Sequence, residues 1–96
     1  MGRTAERVYT NDADIARMEA LMEQLPDEAR VELLLEDGSS VTGVVSVRPT
    51  VQAFLDPKGE EGINGVVRID DAADPSRAHY VWLDVIREVR RLDIAP

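Results

Sequence analysis

Val31-Glu32-Leu33-Leu34-Leu35-Glu36-Asp37-Gly38-Ser39-Ser40-Val41-Thr42-Gly43-Val44-Val45 is the stretch that decides the fold. An apolar run leads into an acidic Asp-Gly pair, and a second apolar run leaves it. Asp-Gly in that setting signals a hairpin, because both central residues of a tight type I′ turn need positive φ. Gly43 stands inside the second run, where a glycine marks a bulge or a sharp bend of the kind small barrels require. Three consecutive leucines, Leu33 to Leu35, predict a first strand over 30–36 buried on both faces, one against the barrel interior and one against a helix.

That helix is legible just upstream, over about 12–25. Asn11 or Asp12 can cap it, Asp14 sits in the first turn, and Ile15, Met18, Leu21, Met22 and Leu25 recur at spacings of three and four. Pro26 ends it. Downstream, a second strand over 41–47 is interrupted by Arg48-Pro49, since proline cannot donate to a ladder, and extended structure resumes over 50–55. A turn-rich loop over 56–62 leads to a strand over 63–70. An acidic loop over 71–76 precedes two last strands, 79–83 and 85–92. Residues 1–10 read as loosely ordered, and the tail 93–96 reads as frayed. The expected fold class is mainly β with one N-terminal helix: a small five-stranded bent antiparallel barrel over about 30–92. Closure would remove exposed edges, with the helix plugging one end through Ile15, Met18, Leu21 and Leu25. Residues 1–96 form a single domain on this reading.

Composition narrows the function. The chain has 96 residues, 44% of them hydrophobic, and no cysteine, which excludes disulfide scaffolds and thiolate metal sites. Residues 1–12 are polar, unlike a signal peptide, and no apolar run is long enough to span a bilayer, so the expected location is cytoplasmic with no membrane partner. Eleven basic and 19 acidic residues give a net charge of −8, which opposes phosphate-driven nucleic-acid binding. Only residues 76–96 escape the acidic excess, through Arg77, Arg87, Arg90 and Arg91. Any anion-binding patch would lie there, unless these arginines pair with Asp84, Glu88 and Asp93.

In Val31, Leu33, Leu35, Asp37, Gly38, Gly43 and Val45 the chain resembles the first motif of the Sm-like family (LSm and Hfq-like small β-barrels). Val81-Trp82-Leu83-Asp84-Val85-Ile86 is similar to that family's last strand pair, joined by a very short turn. The layout also looks like a small bacterial family of uncharacterised proteins with an Sm-like fold. The resemblance spans about residues 12–92 in architecture and about 20 residues in motif. It implies a barrel that forms rings through its edge strands, and RNA binding at an Asp-x-x-apolar-Asn stretch and a basic knuckle. Arg48-Pro49-Thr50-Val51-Gln52 and Leu83-Asp84-Val85 stand at those two places, so the familiar pore site is absent, and a shared fold does not carry function by itself.

Candidate residues follow from both readings. Arg87, Arg90, Arg91 and Arg48 are the candidate nucleic-acid contacts. Arg48, Gln52 and Asn64 are polar residues in or beside strands, where a plain sheet prefers apolar ones, and would either bind a ligand or satisfy one another at the strand kink. Val81, Leu83, Ile86 and Val89 would form an oligomer edge, giving a dimer or a ring. Phe54 and Trp82 either pack the core or offer a stacking face. A catalytic His79 would need a nucleophile and an orienting acid beside it, and Ser39, Ser40, Ser46 and Ser76 show no nucleophile-elbow context. Glu60, Glu61, Asp70, Asp71 and Asp74 could gather a hard cation through oxygen ligands but show no EF-hand spacing and suit turns equally, and no phosphate-binding glycine loop occurs. The chain is therefore expected to be no enzyme, to hold no metal and no cofactor, and to act in RNA or ribonucleoprotein interaction or, alternatively, as a protein-interaction module working through the barrel edge.

Overall fold

The structure is a computed structural model that describes residues 3–92. The tail 93–96, with Asp93, lies outside the described residues. Helix α1 (Asp12–Glu23) starts where the Asn11 side chain accepts the amides of Ala13 and Asp14 at 2.7 and 3.2 Å. Asp12 and Asp14 place carboxylates in the first turn, which the helix dipole favours. The helix stops two residues short of the expected end. The amides of Gln24 and Leu25 tighten onto the carbonyls of Leu21 and Met22 before Pro26. Met18, Leu21 and Leu25 are buried, and Ile15 is half-buried.

Six strands follow: β1 (Arg30–Leu35), β2 (Ser40–Val47), β3 (Val51–Leu55), β4 (Glu61–Asp71), β5 (Ala78–Trp82) and β6 (Ile86–Arg91). A 3-10 turn, Leu83–Val85, joins the last two. Arg48-Pro49 splits one long bent strand into β2 and β3, which is why six are found where five were expected. All pairings are antiparallel, in the order β3-β4-β2-β1-β6, with β5 also on β4. The 11-residue β4 is the spine. Its first half pairs with β3, and its second half holds β2 on one side and β5 on the other. Among the described residues β5 and β6 do not pair with each other, so the sheet curls into a half-barrel open between them.

The deciding hairpin is tight but not of the expected type. Leu34 faces Ser40, and the Gly38 amide donates to the Leu35 carbonyl at 3.0 Å, leaving a three-residue loop. Gly38 alone in it has positive φ, at 89°, while Asp37 does not. This is a type I turn closed by a glycine bulge rather than a type I′ turn. Asp37 accepts both the amide and the hydroxyl of Ser39, at 2.9 and 2.6 Å, and those bonds hold its carboxyl below the usual range, the hydroxyl bond foremost. The side chain thereby supplies order that a second left-handed residue would have supplied.

Gly43 is a close-approach glycine. A Cβ built on it would lie 2.0 Å from the Asp70 carbonyl oxygen and 2.8 Å from Ile69 Cγ2. β2 therefore crosses β4 at backbone distance, and the ladder shifts register nearby, between Val45 and Val47. On β1 the expected two-sided burial does not occur. Val31 and Leu33 are fully buried, whereas Glu32 and Leu34 are half-buried on the other face. An antiparallel sheet with one covered face imposes that alternation even on a run of leucines. α1 instead packs chiefly on β3, β4 and the 3-10 turn. The core joins Met18, Leu21 and Leu25 to Leu33, Val45, Val67, Ile69, Leu83 and Ile86.

Residues 3–10 are not loose. Arg3 and Ala5 exchange backbone bonds with Leu55 at 2.7 and 2.9 Å, and Tyr9 exchanges two with Ile63 at 2.7 and 2.9 Å. This arm straps the outer face of the β3–β4 pair. It runs so close over Gly62 that a Cβ there would meet Val8 at 2.8 Å. Extended backbone beside unpaired ladder groups gains hydrogen bonds by joining them, which composition alone does not reveal.

Candidate functional site

The knuckle between β5 and β6 is built around one carboxylate. Asp84 lies between core residues Leu83 and Val85, and its side chain is only 6% exposed. Its Oδ2 accepts the Tyr9 hydroxyl at 3.0 Å and faces Arg7 Nε at 3.3 Å. Arg7 also reaches Glu36 Oε1 at 2.7 Å, so one guanidinium ties the arm to both the knuckle and the deciding hairpin. The bond to Glu36 leads the causes that push the Arg7 pKa up. Burial, then the hydrogen bond to Asp84, pushes the Tyr9 phenol up from its ordinary value. Arg17 of α1 donates to the Ile86 carbonyl, capping the first residue of β6. The sequence reading set Asp84 against phosphate or against the C-terminal arginines. Its partners come instead from the N-terminal arm, and Arg7-x-Tyr9, two polar residues on one face of an extended segment, was the available signal.

The four candidate nucleic-acid arginines do not converge. Arg90 lies between two glutamates, with Nε 2.8 Å from Glu88 Oε2 and an Nη 3.6 Å from Glu32 Oε1. Arg91 pairs with Val31 in the ladder, on the opposite face to Arg90. Arg87 is exposed next to the register shift of β6, beside a cleft it shares with Leu34 and Glu88. Arg48 is at the corner between β2 and β3, beyond the end of the β1–β6 ladder, where Asp27 Oδ1 accepts its amide at 2.8 Å. The expected Arg48–Gln52–Asn64 network does not form. Asn64 is buried and opposite Gln52 in register, but its Nδ2 donates to the Arg7 carbonyl at 2.9 Å, and its Oδ1 accepts the Gly65 amide at 2.8 Å. It is the anchor of the arm, a role that needed the arm's course to be known.

The proposed edge residues also move. Val81, Leu83 and Ile86 are buried in the core, Val89 is half-buried against it, and Leu83 belongs to the 3-10 turn. Among the described residues β5 has ladder partners only on β4, and β6 only on β1, so each has a backbone edge without a strand beside it. Phe54 is buried and meets Trp82 edge-on, with centroids 5.1 Å apart, so these rings pack on each other. His79 does have an acid partner: its Nε2 is 2.8 Å from Asp71 Oδ1. The other Asp71 oxygen accepts the amides of Ala73 and Asp74, so the pair shapes the loop before β5. Those bonds, the histidine's first, hold the Asp71 carboxyl below its ordinary range. A cleft of about 460 Å3 opens beside this loop, lined by Arg30, Thr42, Asp70, Pro75 and Leu92 among others. Among the described residues no cluster of three or more potential ligands could hold a metal ion. No described helix is long and apolar enough to cross a membrane.

A six-stranded antiparallel sheet curled into a half-barrel, its last two strands joined by a 3-10 turn and an N-terminal helix packed against it, defines an Sm-like fold. A protein from Xanthomonas campestris, whose crystal structure is described as adopting a novel variant of the Sm-like motif, superposes with a TM-score of 0.89 at 39% identity, over 94% of this chain and 97% of that one. The chain belongs to the family described as domain of unknown function DUF3247, whose model matches residues 2–92. No curated protein matches the sequence.

Proposed function

We propose that this protein is a non-catalytic interaction module that works through the open strand edges of its half-barrel, and that phosphate binding is not its business. The observation that carries this reading is the gap between β5 and β6, where, among the described residues, neither strand has a ladder partner on its outward side. The charge supports it: a molecule at −8, with Arg90 between two glutamates and a buried Asp84 at the knuckle, repels a phosphate backbone. Sm-like families commonly assemble through such edges, which favours a homo-oligomer. The His79–Asp71 pair supports a structural role, because Asp71 is fully engaged by the loop.

Light scattering on the purified protein, with and without RNA at low salt, tests this. A mass that RNA leaves unchanged is the expected result. A mass that rises with RNA, falls back as salt is added and is lost on Arg87→Ala would overturn it in favour of RNA binding.

A further inference from the structure

Three strands border the sheet, and they are not equally protected. β3 is uncharged like β5, but the arm crosses its end and takes both backbone groups of Leu55. β6 carries Arg87, Glu88, Arg90 and Arg91 among its six residues, and Arg17 caps its first carbonyl. Charged side chains along an edge oppose the addition of another strand. β5, Ala78-His79-Tyr80-Val81-Trp82, contains no Lys, Arg, Asp or Glu. Among the described residues its backbone bonds reach only β4. Beside it the outer face carries one apolar, one cationic and one aromatic residue, the arginine 3.5 Å from Asp70. Val47, Arg68 and Tyr80 form one cross-strand row, Val47 and Tyr80 are 55% and 67% exposed, and the Arg68 guanidinium lies 5.9 Å from the Tyr80 ring centre.

We infer that a second copy of this chain adds its own β5 to this edge, antiparallel, about a twofold axis at residue 80. The inference rests on the edge-pairing reading above and names its partner. The self-pairing argument is one of register and charge. In that arrangement residue 78 of one copy faces residue 82 of the other, 79 faces 81, and 80 faces itself. Alanine meets tryptophan, histidine meets valine and tyrosine meets tyrosine, so no like charges oppose each other, and the central pair is aromatic. Each copy carries −8, which disfavours contact through acidic segments; β5 itself has no acid, and the neighbouring Asp71 is held by His79 and the loop amides. Pairing β5 with β6 of another copy would instead lay uncharged residues along a strand that is mostly Arg and Glu. An isologous contact of this kind closes at two copies.

The absence of cysteine makes a clean test. Residues directly opposite in an antiparallel pair have Cα atoms about 4.5–5.5 Å apart, within disulfide reach. Under mild oxidation a Tyr80→Cys variant should cross-link to a covalent dimer and an Arg87→Cys variant should not. By light scattering the parent protein should have the mass of two chains. Tyr80→Lys, a change at an exposed position, should weaken the dimer at least about tenfold while the far-UV circular dichroism stays native, because it sets like charges opposite at the axis. A protein that stays at the mass of one chain at all concentrations overturns the inference. So does an oligomer that Tyr80→Lys leaves intact and Tyr80→Cys does not cross-link; there edge pairing through β6 survives and the β5 twofold does not. A mass that moves only with RNA overturns the edge reading itself.

Discussion

Gly43→Ala is the sharpest test of the fold because the two available arguments give opposite signs. If Gly43 were an ordinary strand glycine, alanine would stabilise the protein by about 0.4–1 kcal/mol through a stiffer unfolded chain. The structure says otherwise. The added methyl would sit 2.0 Å from the Asp70 carbonyl oxygen and 2.9 Å from its carbon, with Ile69 Cγ2 at 2.8 Å on the way out. Close carbon–oxygen contacts between strands settle near 3.3–3.6 Å, so β2 and β4 must part by roughly 1.3 Å at this point. The obstacle is backbone, and Ile69 is fully buried, so no flexible side-chain end can yield. Parting the strands strains the pairings Gly43–Asp71 and Val44–Asp70 and the 3.0 Å bond from the Ala72 amide to the Thr42 carbonyl. Overpacking costs about 1–3 kcal/mol, and two weakened ladder bonds add about 1 kcal/mol each, for a loss of roughly 3–5 kcal/mol. At about 4–8 °C per kcal/mol for a domain of this size, Tm should fall by ~12–40 °C. Urea unfolding followed by Trp82, the single tryptophan, measures it directly. A variant as stable as the parent, or more so, would refute the close crossing of β2 and β4.

Other substitutions test the remaining joints. Asn64→Ala strands the Arg7 carbonyl and the Gly65 amide and should cost about 2–4 kcal/mol in urea unfolding, with amide exchange accelerating at Ala5 and Tyr9 as the arm loosens. Gly38→Val should cost about 1–3 kcal/mol by the same assay, because a β-branched residue resists a φ of 89°. Asp84→Ala should bring the Tyr9 pKa down toward its ordinary value, read by NMR titration of the Tyr9 ring, since Asp84 both accepts the phenol proton and repels the phenolate. The Asp71 carboxyl is depressed, so its contribution is full above its unfolded pKa near about 3.9 and is lost as pH falls below that. The amides of Ala73 and Asp74 should therefore lose exchange protection in acid, and Asp71→Asn should flatten that dependence.

What the sequence made legible was whatever local periodicity and turn chemistry encode. α1, the Asp37-Gly38 hairpin, the break at Arg48-Pro49 and the strand glycine at Gly43 are each written in a few adjacent residues. The partners of polar residues were not, because they come from far along the chain: Asp84 meets Arg7 and Tyr9, and Asn64 meets Arg7. No window of neighbouring residues contains those pairs. The edge was misjudged for a related reason. Val81 and Ile86 are apolar strand residues, and apolarity marks the core face as readily as an interface, whereas a free edge is a property of backbone and topology.

The arm explains why the open edge falls at β5. Tyr9 exchanges its bonds with Ile63 on the side of β4 away from β3, and β5 takes that same side from Val66 to Asp70. Arm and β5 therefore share one flank of β4 end to end, and neither lies outside the other. Asn11 then turns the chain into α1, so the arm does not run on past β5. The Tyr9 hydroxyl on Asp84 fixes the knuckle in which β5 terminates. An arm anchored one strand further out would have covered Ala78–Trp82 and left a sealed sheet. Anchored by Asn64 and Tyr9 it seals β4 instead, and β5 is left facing outward.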